Sequence, residues 1–310
     1  MKYLKLIRYQ NLLLLAFMQL IFRYGFLKFQ NIFLSLADWQ YGLLVLATML
    51  IAAAGYIIND ILDQETDSDN DKGNVIVGKL ISEKTAYNLY FVLNITGVGI
   101  GYYLANVIHK PSFAGAFIII SATLYMYATS LKQMLLIGNI IVALLLSFSV
   151  IIIGLFDLLP ATYEGNQKEM GVMFSILIDY AVFAFIINLI REIVKDMEDV
   201  EGDYNNGMST LPIAIGNEKT SKIAGALGII AILILFWYIN SNLMATKLYY
   251  AVIYGLLFVI APIIFFVVKI WNAKTKQEFH LLSTVLKWVI FFGILSILVI
   301  NLNIKYNVKG

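Results

Sequence analysis

The acidic residues of this chain are crowded into two short windows. Six lie between positions 60 and 71 (Asp60, Asp63, Glu65, Asp67, Asp69, Asp71) and six between 192 and 203 (Glu192, Asp196, Glu198, Asp199, Glu201, Asp203), twelve of the twenty in the chain. Residues four apart share a helix face, so Asn59, Asp63 and Asp67 line up, as do Asp199 and Asp203. Like charges at that spacing repel, and beside a membrane they are also costly to desolvate, so something cationic must offset them. With no cysteine and only two histidines, the available donors are hard oxygens. These suit Mg²⁺, which typically binds through one or two carboxylates together with a substrate's phosphates. Two facing carboxylate sets could each hold a Mg²⁺ and share a diphosphate. Lys72, Lys79 and Lys84 follow the first window, and Arg191 and Lys195 accompany the second, where they could neutralise such a group through charge-assisted hydrogen bonds. Lys84, Lys219 and Lys222 read instead as charge balance and topology signals.

The elements that must carry these residues are membrane helices. Of 310 residues, 60% are hydrophobic and 14% charged, against about 45–50% and about 25% in an ordinary globular chain. That excess excludes a soluble core, disorder and a disulfide-stapled domain. A net charge of +2 gives no reason to expect a nucleic-acid partner. Spanning the bilayer takes roughly 20 mostly apolar residues. Nine stretches qualify, approximately 11–28, 42–62, 88–108, 112–130, 134–156, 171–190, 222–241, 248–269 and 285–303. Lys2, Lys5 and Arg8 precede the first run as in a signal peptide, but no small-residue cleavage site follows, so a retained helix is expected.

Counted on alternate sides, 15 Lys and Arg residues fall with the N-terminus and the connections after spans two, four, six and eight, and 7 on the other side. The positive-inside rule then places the N-terminus and both acidic windows in the cytoplasm, with the protein integral to the cell (inner) membrane and its C-terminus outside. Four spans separate the windows, so both emerge on one face.

The windows also match each other. Asp60, Asp63, Glu65 and Asp67 reappear as Asp196, Asp199, Glu201 and Asp203, four identities in eight positions at a constant offset of 136. This predicts an internal repeat: an all-α polytopic membrane protein, one domain over 1–310, built from related four-helix halves (1–130 and 131–269) plus a ninth helix (285–303) around a central cavity.

At this point the residues resemble the UbiA superfamily of intramembrane prenyltransferases. Asn59-Asp60-Ile61-Leu62-Asp63 continuing to Asp67 fits that family's signature Asn-Asp-x-x-Asp-x-x-x-Asp, and Asp199 with Asp203 fits its Asp-x-x-x-Asp. Arg8 and Asn11 look like the opening Arg-x-x-Asn. Ser130 and Lys132 followed by Gly138-Asn139 look like the connection between the fourth and fifth helices, and Thr210-Leu211-Pro212 with Gly216 like the stretch after the second signature. The run from Arg191 to Asp203 is most similar to the branch of geranylgeranylglycerol-phosphate geranylgeranyltransferases, known for ether-lipid synthesis.

The resemblance implies Mg²⁺-dependent transfer of a polyprenyl group, here geranylgeranyl, from its diphosphate to a lipophilic acceptor, geranylgeranylglyceryl phosphate. It implies Asn59, Asp63, Asp67, Asp199 and Asp203 as the catalytic set, with Asp60 and Asp196 completing the metal ligands. Arg8, Asn11, Lys72, Lys79, Lys132, Arg191 and Lys195 would contact the diphosphate. One departure stands out: where the family places Asn-Lys-Pro and an arginine, this chain reads Asn70-Asp71-Lys72-Gly73-Asn74, and no arginine follows until Arg191. Lys72 or Lys79 would then serve as a point charge in place of a guanidinium fork. Tyr56, Tyr125, Tyr127 and Tyr180 lie within spans, where an aromatic face can attract a carbocation, although packing explains most such residues. Asp179, deep in the sixth span, is a candidate for the acceptor end. Two other readings fit part of this pattern: prenylation of an aromatic acceptor such as a quinone precursor, and cation transport through a repeat-built fold. Acids at helix ends beside long loops favour diphosphate chemistry over ion transit.

Overall fold

The structure, a computed structural model, describes residues 1–64 and 75–307. Among these residues the chain is all-helical apart from connections and an isolated bridge between Val77 and Ile81. Nine long helices are described: α1 (Tyr9–Leu27), α2 (Asp38–Leu62), α3 (Glu83–Val107), α4 (Pro111–Thr129), α5 (Ile137–Ala161), α6 (Gln167–Glu198), α7 (Asn217–Met244), α8 (Tyr249–Ile270) and α9 (Lys276–Asn307). Eight of the described helices are long and apolar enough to cross a bilayer. The exception is α3, one of the nine predicted spans; its length suffices, but Asn88, Asn94, Thr96 and Asn106 dilute its apolar character.

Packing accommodates these polar groups. A Cβ on Gly97 would lie 2.7 Å from the Ile51 side chain and 3.2 Å from the Ala47 carbonyl oxygen, so glycine lets α3 approach the backbone of α2. Asn94 accepts a hydrogen bond from Ser121 of α4 at 2.6 Å. Small residues at close crossings and side-chain hydrogen bonds between helices are the usual means of association where lipid offers no hydrophobic drive.

Two ends of the bundle are defined by contacts. At one end Arg8 meets Asp60, Lys132 meets Asp63, Asn139 meets Asp196 and Lys276 meets Asp199. This gathers the starts of α1, α5 and α9 and the ends of α2 and α6. At the other end Arg23, at the close of α1, reaches both Asp38 at the start of α2 and Asp157 near the end of α5. Two large apolar cores fill the space between, one drawn mainly from α1 to α6 and one from α6 to α9.

The helix ends recur along the chain. Asp63 caps α2 at φ −98°, ψ 11° and Asp199 caps α6 at φ −105°, ψ 10°, again 136 residues apart. Left-handed residues precede α1 (Arg8, φ 48°) and α5 (Leu136, φ 58°), and others stand in the turns before α4 (His109, φ 56°) and α8 (Lys247, φ 59°).

One boundary differs usefully from the hydropathy reading. The sixth span was expected to close near 190, but α6 runs on to Glu198. Apolarity ends before the helix does, because Arg191, Glu192 and Lys195 pair with one another along its surface. Three residues expected just beyond a span, Arg191, Lys195 and Asp196, therefore sit on the helix itself.

Candidate active site

The first acidic window begins on the last turn of α2. Asn59 donates to Asp63 at 2.6 Å, the contact expected of residues four apart. Asp63 is buried and also bonded by Lys132. Lys132 comes from the short turn Leu131–Gln133 between α4 and α5, and Gly138 is what allows that turn to fold back. A Cβ at Gly138 would lie 2.9 Å from the Lys132 Cα and 3.2 Å from the Leu131 carbonyl oxygen. The neighbouring Asp60 accepts from Arg8 at 3.1 Å, and the Arg8 guanidinium stacks 5.0 Å from the Tyr56 ring centroid. Asn11, one turn into α1, donates to the Tyr56 hydroxyl at 3.4 Å. Asp67 and Lys72 lie outside the described residues. Lys79 is exposed in the connection that leads into α3.

The second window is arranged differently. Glu192 accepts from Lys195 at 2.7 Å and from Arg191 at 3.4 Å, all within α6. Asp196 is met by the amide of Asn139, from the first turn of α5, at 2.8 Å. Asp199 breaks the helix, so it and Asp203 are not on one continuous α-helix as expected. The backbone N–H of Asp203 still donates to the Asp199 carbonyl at 3.1 Å, which keeps the two a single turn apart. Asp203 is buried on the short helix Val200–Asn205. Burial pushes the Asp199 carboxyl above its ordinary pKa and Glu198 adds to this, while Lys276 at 3.5 Å opposes it.

The two windows converge on a pair of tyrosines. Tyr56 on α2 and Tyr127 on α4 line one space together with Arg8, with Asn59 beside the first window and with Glu192 and Lys195 of the second. That space is a cavity. Arg8, Tyr56, Asn59, Tyr127, Glu192 and Lys195 line its polar part, and Ile51, Phe117, Ile120, Leu124, Phe148 and Ile152 its apolar part. A second cavity shares the wall of Leu15, Ala52, Tyr56, Leu146 and Ser149 and holds Asn11, Asn188 and Arg191.

The residues picked from sequence thus separate into groups. Arg8, Asn59 and Lys195 line the first cavity and Asn11 and Arg191 the second. Asp60 and Asp63 adjoin the first cavity through their bonds to Arg8 and Asn59, and Lys132 through Asp63, whereas Asp196, Asp199, Asp203 and Lys79 line neither. Glu192, which lies in the acidic window but drew no role, and Tyr127 are central. Asn139 of α5 bonds Asp196 of α6 and so ties the two helices together.

The donor set fits Mg²⁺ in chemistry: carboxylates and a side-chain amide, without sulfur or imidazole. Among the described residues no three of His, Asp and Glu gather closely enough to hold a metal ion by themselves. That suits an ion which arrives with phosphate oxygens as part of its shell.

An all-helical polytopic membrane protein with a charged cavity mouth over an apolar interior is the class that fold and site define. Residues 25–300 match the UbiA prenyltransferase family, and the chain belongs to it. Among its relatives, the digeranylgeranylglyceryl phosphate synthase of Thermococcus gammatolerans is 32% identical over 257 residues, 83% of this chain and 84% of that one. A solved structure concerned with digeranylgeranylglyceryl phosphate synthase in membranes covers 97% of both chains with TM-score 0.63 and 23% identity. A UbiA homolog from Archaeoglobus fulgidus bound to DMAPP and Mg²⁺ superposes with TM-score 0.58 at 19% identity, covering 96% of this chain and 99% of that one. The protein is a membrane-embedded prenyltransferase.

Proposed function

We propose that this protein transfers a geranylgeranyl group from its diphosphate to geranylgeranylglyceryl phosphate, the reaction named for its relative in Thermococcus gammatolerans. The observation that carries the reading is the first cavity, where Arg8, Asn59 and Lys195 stand over an interior lined by Ile51, Phe117, Leu124 and Phe148. A charged head and a long isoprenoid tail meet opposite requirements, and this cavity offers both in one continuous space.

The chain's own residues divide the work. Arg8, Lys132 and Lys195 hold phosphate oxygens, and Lys72 and Lys79, which follow the first acidic window in the sequence, are further candidates for that role. Asn59, Asp63, Asp67, Asp199 and Asp203 are the ligand set for Mg²⁺, which when bound supplies Lewis-acid assistance to the leaving diphosphate. Asp60 and Asp196 position the set through Arg8 and Asn139. Fixed positive charge aimed where negative charge develops is usually the largest catalytic contribution. Breaking the bond between the prenyl C1 and the diphosphate oxygen leaves an allylic cation. Tyr56 and Tyr127 present aromatic rings to it, and the apolar lining excludes water until the acceptor hydroxyl attacks.

In this reading the site faces the cytoplasm, which the excess of Lys and Arg on that side supports. The two four-helix halves descend from one repeat, a reading supported by the matched caps at Asp63 and Asp199 and the left-handed residues that recur before α1 and α5 and before α4 and α8.

The test is product analysis. Purified protein in detergent, given geranylgeranyl diphosphate and Mg²⁺, is expected to convert geranylgeranylglyceryl phosphate to its digeranylgeranyl product, followed by mass and by diphosphate release. Turnover with an aromatic acceptor alone would keep the transfer chemistry and discard this acceptor. Ion flux in liposomes without diphosphate release would discard the enzyme.

A further inference from the structure

The second cavity is built for a different head group from the first. Its lining contains two cations, Arg191 and Lys287, and no carboxylate. The Arg191 Nε is buried with no hydrogen-bond partner. Lys287, on α9, makes no hydrogen bond or ion pair with a described residue, and the charge of Arg191 reaches it. Two neighbouring cations within membrane helices, one of them without an acidic partner, are costly unless a ligand neutralises them. The absence of carboxylates from the lining leaves no place for a divalent ion, so the ligand is an anion bound without metal. A phosphate monoester carries about −1.5 to −2 at neutral pH, enough to neutralise Lys287 and to meet the free Nε of Arg191, whose other side is held by Glu192.

Below these groups the cavity is apolar, with Met18, Phe22, Phe183, Ile290 and Ile294 along it. Tyr180, Phe183 and Gly293 also line a third cavity, walled by α6, α7, α8 and α9 and including Asp179 and Tyr238, so further apolar space adjoins the second cavity. The wall shared with the first cavity brings the two head-group regions together at Tyr56.

We infer that the second cavity seats the acceptor, with Lys287 and Arg191 binding its phosphate as specificity-determining residues. This rests on the proposed reaction. Arg191 accordingly serves the acceptor phosphate and not the diphosphate for which its position in the sequence suggested it. The acceptor hydroxyl is then presented across the Tyr56 wall to the carbon that loses diphosphate: the new C–O bond forms there as the old C–O bond breaks, and the hydroxyl proton passes to the released diphosphate.

Lys287→Met tests this while keeping the apolar stem. The full-length protein is assayed with geranylgeranylglyceryl phosphate and with the corresponding alcohol lacking phosphate. In the unaltered protein the phosphorylated acceptor should be strongly preferred; no transfer to it at all would overturn the proposed function itself. Lys287→Met should raise KM for that acceptor about 10- to 100-fold, the loss expected of one hydrogen bond to a charged group. KM for geranylgeranyl diphosphate should stay unchanged, and the preference over the alcohol should fall by the same factor, Arg191 retaining the remainder. Lys287→Arg should restore most of it. Direct binding of geranylgeranylglyceryl phosphate without donor should weaken by the same factor. An unchanged acceptor KM in Lys287→Met, or a KM for diphosphate that rises as much as that for the acceptor, would overturn the assignment.

Discussion

Two clusters of opposite charge hold the ends of this bundle, and they are built to different ends. At the far end Arg23 is 1% exposed and Asp157 fully buried, and the pair is closed off by the Tyr41 ring 4.3 Å from the guanidinium and by the Leu36 N–H, which donates to Asp157 at 2.9 Å. Both residues sit in π-helical turns, Ile21–Leu27 and Gly154–Leu158, which widen the helices locally. At the other end Asp63 and Lys132 form a comparable pair, but beside Asn59 and Tyr127 at a cavity mouth. The same ion-pair chemistry is therefore structural where it is sealed and available for exchange where it borders a cavity. A charge in a membrane helix marks function by what it faces as much as by its depth.

The contrast breaks most severely at the sealed end. Replacing Arg23 with Met should lower stability by about 3–5 kcal/mol, because Asp157 is left as a buried unpaired charge. The thermal unfolding midpoint in detergent should fall sharply, with kcat of the surviving protein little changed. At the open end Asp63→Asn should reduce kcat about 10²- to 10³-fold, as the loss of one preorganised electrostatic group does, with the midpoint nearly unmoved. Lys132→Met should be milder, about 10- to 100-fold and expressed as a higher KM for the prenyl diphosphate. Asn139→Ala should be the smallest of these, on the order of 10-fold in rate, since it removes one hydrogen bond to Asp196 of about 1–2 kcal/mol. A large stability loss in Asp63→Asn, or a large rate loss in folded Arg23→Met, would erase the distinction between the ends.

Much of this was legible in the sequence where chemistry is local. The acidic windows, their common face and the helical spans follow from spacing and hydropathy, and the nine predicted stretches fall on the nine long helices described. Contacts between distant segments were not legible. Asp157 meets Arg23 across 134 residues, and neither has a local pattern that announces the other. Tyr127 looks like any span tyrosine until α4 carries it to the cavity that Asn59 and Glu192 also line. Lys287 is a lone cation in the last apolar run, which could have been flagged as an intramembrane charge needing a partner. The end of α6 was misplaced because apolarity stops at 190 while ion pairing carries the helix to Glu198. The role of Gly138 is invisible in one dimension, since only the folded turn brings the Lys132 Cα to within 2.9 Å of where its Cβ would be.

The most direct measurement is turnover of geranylgeranyl diphosphate with Mg²⁺ and geranylgeranylglyceryl phosphate by the purified protein and by its Asp63→Ala and Asp199→Ala variants, each with its unfolding midpoint determined. If both acidic windows serve one reaction, the unaltered protein forms the digeranylgeranyl product and neither folded variant does. Undiminished product formation in either variant would contradict a single active site shared by the two windows.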